Sequence, residues 1–371
     1  MEAASFVDRV EDMTDLELAM LLSLIAEHHC LIEVDDDLLN DLASELALIA
    51  RDVFSLSYII LERADVQSID EFVAAILDDN NDVEDPADAL EDDSNQACFS
   101  NPGICLVDGL SFRGAPSTQN AQFQSDSPTV VNVIIAKDFN FAHDDVQVQA
   151  LELIRKRRIY SRTTVHVAPK AFLLLPIVST SSKHVRLNAH LNDRIFMSHY
   201  HEAEDGFPNL EEMDIARHSE DESAYSYSHS PSVRREDMIA SRRIESELID
   251  QLRVQGKAAT VTPEIRRYLQ DVVAFLRLAR GVDGGVTPYA TTLFLALAKY
   301  LAPFHGIDYV TPALITLAAK KVYPHRIIMA SPTRERSTQY GTNVTTARDL
   351  LRDLDPHTVL QHVLDTVECP A

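Results

Sequence analysis

Apolar residues follow two rhythms along the chain. Short unbroken runs recur in the first half, and stripes spaced three and four apart dominate the second. The clearest run is Val131-Asn132-Val133-Ile134-Ile135-Ala136, directly ahead of Lys137-Asp138. Rich in β-branched residues, it reads as a strand buried on both faces, as in a parallel sheet. A helix follows, with Val146, Ala150, Leu153 and Ile154 at helical spacing and Asp144 and Asp145 in its first turn. A second run spans 171–178, and His190-Leu191-Asn192-Asp193-Arg194-Ile195-Phe196 leads through a short helix into a third strand. Strands alternating with helices predict a parallel sheet with crossover helices.

The same alternation begins earlier. Thr14-Asp15-Leu16-Glu17 is a capping box, and its helix presents Leu18, Leu21, Leu22 and Ile25. Cys30 to Val34 reads as a strand. Asp35-Asp36-Asp37 opens a helix to about Arg51 with Leu38, Leu42, Leu46 and Ile49 as its stripe. A strand at 56–61 and a helix capped by Ser68 follow. In the second half Thr262-Pro263, Thr287-Pro288 and Thr311-Pro312 each pair an N-cap hydroxyl with a proline at the first helical position. With residues 236–253 they predict a four-helix unit. Two further helices are expected in the tail, near 345–354 and 356–367, with Leu360, Val363 and Leu364 packing on that unit.

Composition narrows the classes. An apolar content of 46% in 371 residues is that of a folded protein of about two domains. The net charge of −25 argues against nonspecific nucleic-acid binding. No apolar run approaches the roughly 18 residues of a membrane helix, and the acidic N-terminus has no leader pattern. Cytoplasmic residence is therefore expected, with the nucleus as the alternative. Cys30, Cys98, Cys105 and Cys369 are scattered, which predicts free thiols. His184, His190, His199 and His201 invite a metal reading, and His199 and His201 would share one strand face. No cysteine or carboxylate stands at a ligand spacing, so no metal is expected. Nine of the sixteen residues at 78–93 are acidic and none is basic; with the polar stretch to 128 they read as a solvated insert, in which 105–112 has the pattern of a hairpin. The Arg155-Lys156-Arg157-Arg158 cluster reads as a solvated helix end.

These patterns resemble one family. VNVIIAKDFNFAHDDVQVQALELIRKRRI is similar to the segment of MoxR-type AAA+ ATPases and of the magnesium-chelatase ATPase subunit that carries the second nucleotide-binding strand. HLNDRIFM resembles their Leu-Asp-Arg-Phe segment. The stretch from Val261 through Ile327 resembles their lid, down to the Asp-Tyr-Val-Thr-Pro turn at Asp308–Pro312. The resemblance implies an α/β core of AAA+ type with a parallel sheet, its phosphate loop lost, and a small all-helical lid. It divides the chain into a first half of the core at 1–80, an insert at 81–130, a second half at 131–201, a linker at 202–235, the lid at 236–330 and a tail at 331–371.

The same resemblance locates a degenerate site. Where the family has a glycine-rich phosphate loop ending in Lys and a hydroxyl, this chain has Glu33-Val34-Asp35-Asp36-Asp37, which lacks glycine, lysine and hydroxyl. The acidic pair for magnesium and the attacking water reads Lys137-Asp138. The first sensor falls at Ser179 or Thr180, and the lid's sensor arginine reads Tyr289. Arg194 matches an arginine that reaches the nucleotide of a neighbouring subunit, or else forms a structural ion pair. The expectation is a pseudo-ATPase without cofactor, an assembly or regulatory subunit for protein partners. Those partners are a competent AAA+ subunit or further copies of the chain, and neither nucleic acid nor membrane. The alternatives are an active chelatase-type ATPase using ATP and magnesium, and a structural adaptor.

Overall fold

In the computed structural model, residues 10, 12–78, 129–161, 164–182, 185–211, 213 and 242–370 are described. The acidic insert with its hairpin pattern, Cys98, Cys105, His184 and most of the linker lie outside them.

Five strands form one parallel sheet: β1 (Cys30–Val34), β2 (Tyr58–Leu61), β3 (Val133–Ala136), β4 (Leu173–Ser179) and β5 (Met197–Tyr200), in the order β2-β3-β4-β1-β5. β1 pairs with β4 through Ile32 to Ile177 and Val34 to Ser179, and β3 pairs with β4 through Ile135 to Leu175. The two-residue period of a strand explains the composition. On β3, Val133 and Ile135 join one hydrophobic cluster, while Ile134 and Ala136 join the other. On β4, Leu173, Leu175 and Ile177 face the first cluster, and Leu174 and Val178 the second. Both faces are covered, so the strands have no polar side.

The helices of the core are α1 (Asp15–Ala26), α2 (Leu39–Leu48), α3 (Ile69–Ile76), α4 (Asp144–Lys156) and α5 (Ala189–Arg194). The Thr14 capping box forms as expected, with the Thr14 hydroxyl and Glu17 carboxylate each accepting from the other's backbone N–H. α4 ends at Lys156, and Arg157 closes it in the left-handed conformation, its guanidinium donating to the carbonyls of Pro169 and Lys170.

The helical part comprises α6 (Ser246–Ala258), α7 (Pro263–Leu278), α8 (Pro288–Leu301) and α9 (Pro312–Val322), followed by the tail helices α10 (Val344–Leu351) and α11 (Pro356–Thr366). Thr262, Thr287 and Thr311 each accept from the backbone N–H three residues on. α6 and α8 cross so closely at Gly256 that a Cβ there would lie 2.4 Å from the Tyr300 ring. α11 packs on α7 and α9 through Val359, Leu360, Val363 and Leu364, as the stripe predicts.

The sequence leads one to expect two independent folding units, 1–201 and 236–330. In the structure the two share a core. Residues of the sheet, α1, α2, the helical part and the tail belong to a single buried cluster. The reason is α1, which buries Leu16, Ala19, Met20, Leu21, Leu22, Leu24, Ile25 and Ala26 on all sides and packs on β1, α6 and α8. A helix apolar all round belongs inside a core rather than at its edge. The start of the linker and Arg242 beyond its end are also tied down. The buried Glu45 carboxylate accepts from the backbone N–H groups of Asn209 and Leu210 and from the Asn209 amide, and buried Glu17 pairs with Arg242 at 2.9 Å.

Candidate functional site

The carboxyl ends of β1, β3 and β4 bring together the residues singled out from the sequence. β1 ends at Val34, and a 3-10 turn at Asp36–Leu38 runs straight into α2. One residue, Asp35, separates strand from helical turn. A phosphate loop needs several residues between strand and helix so that successive N–H groups can wrap the phosphates. Here no length of chain exists to do so. Asp35, Asp36 and Asp37 are exposed; the Asp35 carboxylate makes no cap bond and accepts from the Tyr200 hydroxyl at 3.4 Å. Glu33 is half-buried in β1, opposite Val178 and Tyr200.

Lys137 follows β3 and crosses to α2. Its ammonium donates to the Asn40 side-chain carbonyl at 3.0 Å and pairs with the Glu62 carboxylate. The side chain is only 12% exposed, so the ammonium is held inside the sheet end rather than left on the surface. Asp138 adopts the left-handed conformation (φ 49°, ψ 39°), which Asp tolerates better than most residues, and opens a 3-10 turn at Phe139–Phe141. Its carboxyl is pushed up first by partial burial and then by Asp36 and Glu62, while Arg63 and Lys137 oppose this. Arg63 itself stacks over Phe141 at 4.4 Å. The ammonium of Lys137 is thus committed to Asn40 and Glu62, and Asp138 lies within electrostatic reach of the Asp36 and Glu62 carboxylates.

At the end of β4 the hydroxyls bond locally. Ser179 is buried, and its oxygen lies 3.3 Å from both the Ser181 hydroxyl and the Ser181 backbone N–H. The Thr180 hydroxyl donates to the Val34 carbonyl at 3.0 Å. The amide at this corner is Asn140, which donates to the Ser182 carbonyl and hydroxyl and to the Val185 carbonyl, with its own carbonyl buried and unpartnered among the described residues. An Asn flanked by Phe139 and Phe141 is the signal that could have found it.

Arg194 and Tyr289, read separately from the sequence, meet in the structure. The guanidinium carbon lies 4.3 Å from the centre of the Tyr289 ring, a cation–π stack between the end of α5 and the start of α8. No described carboxylate pairs with Arg194. Its neighbour Asp193 instead accepts from the Thr287 hydroxyl at 2.6 Å. Beside them lies Arg326, which sequence reasoning missed. Only 2% exposed, it wraps the end of α5 and the start of β5, donating to the carbonyls of Asp193, Ile195, Phe196 and Val322. Burial lowers its pKa to about 10, still charged near neutrality. His199 and His201 do share one face of the sheet end, their ring centres 6.4 Å apart, but His199 Nδ1 faces the Lys321 ammonium at 2.9 Å. Among the described residues no group of His, Cys, Asp and Glu is arranged to hold a metal.

This sheet order, covered on both faces and followed by Thr-Pro-capped helices, gives an α/β core of the AAA+ type of fold with a small all-helical lid. Residues 275–348 match the family model of the AAA lid domain. That match runs from α7 into α10 and takes in the first part of the tail, for which the sequence offers no counterpart. In the solved structures the fold is similar to a "putative ATPase" from Cytophaga hutchinsonii, with a TM-score of 0.57 over 99% of this chain and 94% of that one, at 14% identity. A likeness at that identity is one of fold alone. Among curated proteins, 108 residues are 32% identical to Maintenance of telomere capping protein 2 of Eremothecium gossypii, a match spanning 27% of this chain and 39% of that protein. No described helix is long and apolar enough to cross a membrane.

Proposed function

We propose that the chain is a pseudo-ATPase of MoxR or magnesium-chelatase type, which keeps the AAA+ architecture as an assembly or regulatory subunit and does not turn over nucleotide. The observation that carries this reading is the single residue between β1 and the turn leading into α2. Three further features support it. The ammonium of Lys137 is consumed by Asn40 and Glu62, the sheet end carries Asp35, Asp36 and Asp37, and the lid presents Tyr289 where a sensor arginine would contact phosphate. Three exposed carboxylates repel a triphosphate rather than cradle it.

Such a subunit works through protein partners, a competent AAA+ subunit or further copies of itself. A guanidinium offers a fixed fork and permanent charge, both suited to a phosphate in a neighbour's site. Arg194 is the residue for that role, since its stack on Tyr289 uses the face of the guanidinium and leaves the N–H edge without a partner among the described residues. With a competent partner purified from the native cell, Arg194→Ala is expected to lower the partner's ATPase rate about tenfold or more, and Arg194→Lys to fail as well. Unchanged turnover with intact assembly would remove Arg194 from this role. The name of the Eremothecium gossypii relative points to maintenance of telomere capping. A part in the same process is the narrower form of the proposal, and a protein that never enters the nucleus would exclude it.

A further inference from the structure

Between α4 and β4 the chain makes a small antiparallel pair, Arg158–Tyr160 with Val165–Val167, in the register Arg158 to Val167 and Tyr160 to Val165. Its inner residues, Ile159 and His166, are buried. Its outer face carries Tyr160, Val165 and Val167, which are 47%, 54% and 59% exposed. Side chains at alternate positions of paired strands share a face, so these three and Arg158 form one surface. Two of the three are β-branched and one is aromatic, the types that sheets cover rather than display.

The charges beside this face are as telling. Lys156 pairs with Glu152, and Arg157 is spent on the Pro169 and Lys170 carbonyls. Arg155 and Arg158 are exposed, and their side chains have no hydrogen bond or ion pair among the described residues. Arg155 stands in the last turn of α4 and Arg158 on the hairpin itself.

We infer that this hairpin face docks an extended, acidic polypeptide segment of a partner protein, apolar at alternate positions. Its apolar side chains cover Tyr160, Val165 and Val167, and its carboxylates meet Arg155 and Arg158. Nucleic acid fits less well, because its affinity rests on many phosphate contacts, whereas the described residues here offer two arginines without a side-chain partner. The inference does not depend on the state of the nucleotide site.

The test uses the full-length protein and a fluorescein-labelled peptide that alternates Glu with Val. A peptide with Lys for Glu and a single-stranded oligonucleotide are the competitors. The glutamate peptide is expected to bind saturably at low salt and more weakly as salt screens the ion pairs. Arg155→Glu with Arg158→Glu, and separately Val165→Ser with Val167→Ser, should each weaken it about tenfold or more, as loss of central contacts does. All four positions are exposed, and an unchanged melting temperature confirms that the variants fold. Failure of the glutamate peptide to bind, equal binding of the lysine peptide, or indifference to both double substitutions would overturn the inference. Tighter binding of the oligonucleotide would overturn it too.

Discussion

Taking the protein from about pH 7.5 to about pH 5 is expected to destabilise it strongly. Four histidines are held neutral in the fold. Burial drops His29 and His199 from 6.5 to about 3 and His28 to about 4, and His325 falls well below its ordinary value. Hydrogen bonding agrees for three of them. His29 Nδ1 accepts the Leu174 backbone N–H at 3.0 Å, His199 Nδ1 faces the Lys321 ammonium, and His325 Nε2 lies 2.8 Å from the Arg326 guanidinium. A proton on any of these nitrogens would set donor against donor. Because the folded pKa values are depressed, the stabilisation is fully present above about pH 6.5 and is lost as the pH falls towards the folded values of 3 to 4. Each group costs about 1.4 kcal/mol per pH unit below its unfolded pKa, or roughly 2 kcal/mol at about pH 5. The four act in the same direction, and each is a sizeable fraction of the stability of a typical domain. Urea unfolding followed by circular dichroism across this range checks it. A stability unchanged between the two pH values would show that the histidines are not buried as described, and His199→Gln should flatten the slope by about one proton.

Gly285→Ala is expected to cost roughly 4 kcal/mol or more, at the exceptional end for a single substitution. Gly285 precedes α8 with φ +94°, and a Cβ there would sit 1.9 Å from the carbonyl oxygen of Arg326 and 2.6 Å from its carbonyl carbon. Both are backbone atoms and cannot swing aside. The cost spreads, because Arg326 is the residue whose guanidinium holds the end of α5 and the start of β5. Displacing its backbone also disturbs the Arg194–Tyr289 stack and the Thr287–Asp193 bond. Gly341 provides the control. Its φ is +92°, but no atom lies within 4 Å of a Cβ there, so Gly341→Ala should cost only the left-handed backbone term, about 1–2 kcal/mol. Thermal unfolding of both variants separates the two terms; similar losses would mean that the Arg326 contact carries no weight.

What the sequence makes legible is local. β3 and β4 are plain because both faces are buried, and the caps at Thr14, Ser68, Thr262, Thr287 and Thr311 are plain because a cap lies within three residues of its partner. The partners of Lys137 are not legible, since Asn40 lies 97 residues away and Glu62 shows no local pattern. Arg326 looks like a surface base at a helix end, yet all but one of its acceptor carbonyls lie some 130 residues earlier, and carbonyls leave no trace in composition. The core shared by the two halves is hidden for a related reason. α1 is visible as a helix, but periodicity cannot say that elements from both halves enclose it.

Calorimetric titration of the isolated, full-length protein with magnesium-ATP tests the proposed loss of nucleotide chemistry most directly. The account predicts no saturable heat up to millimolar nucleotide, because Asp35 alone joins β1 to the turn before α2 and Lys137 is committed to Asn40 and Glu62. Single-site binding of micromolar affinity would contradict it.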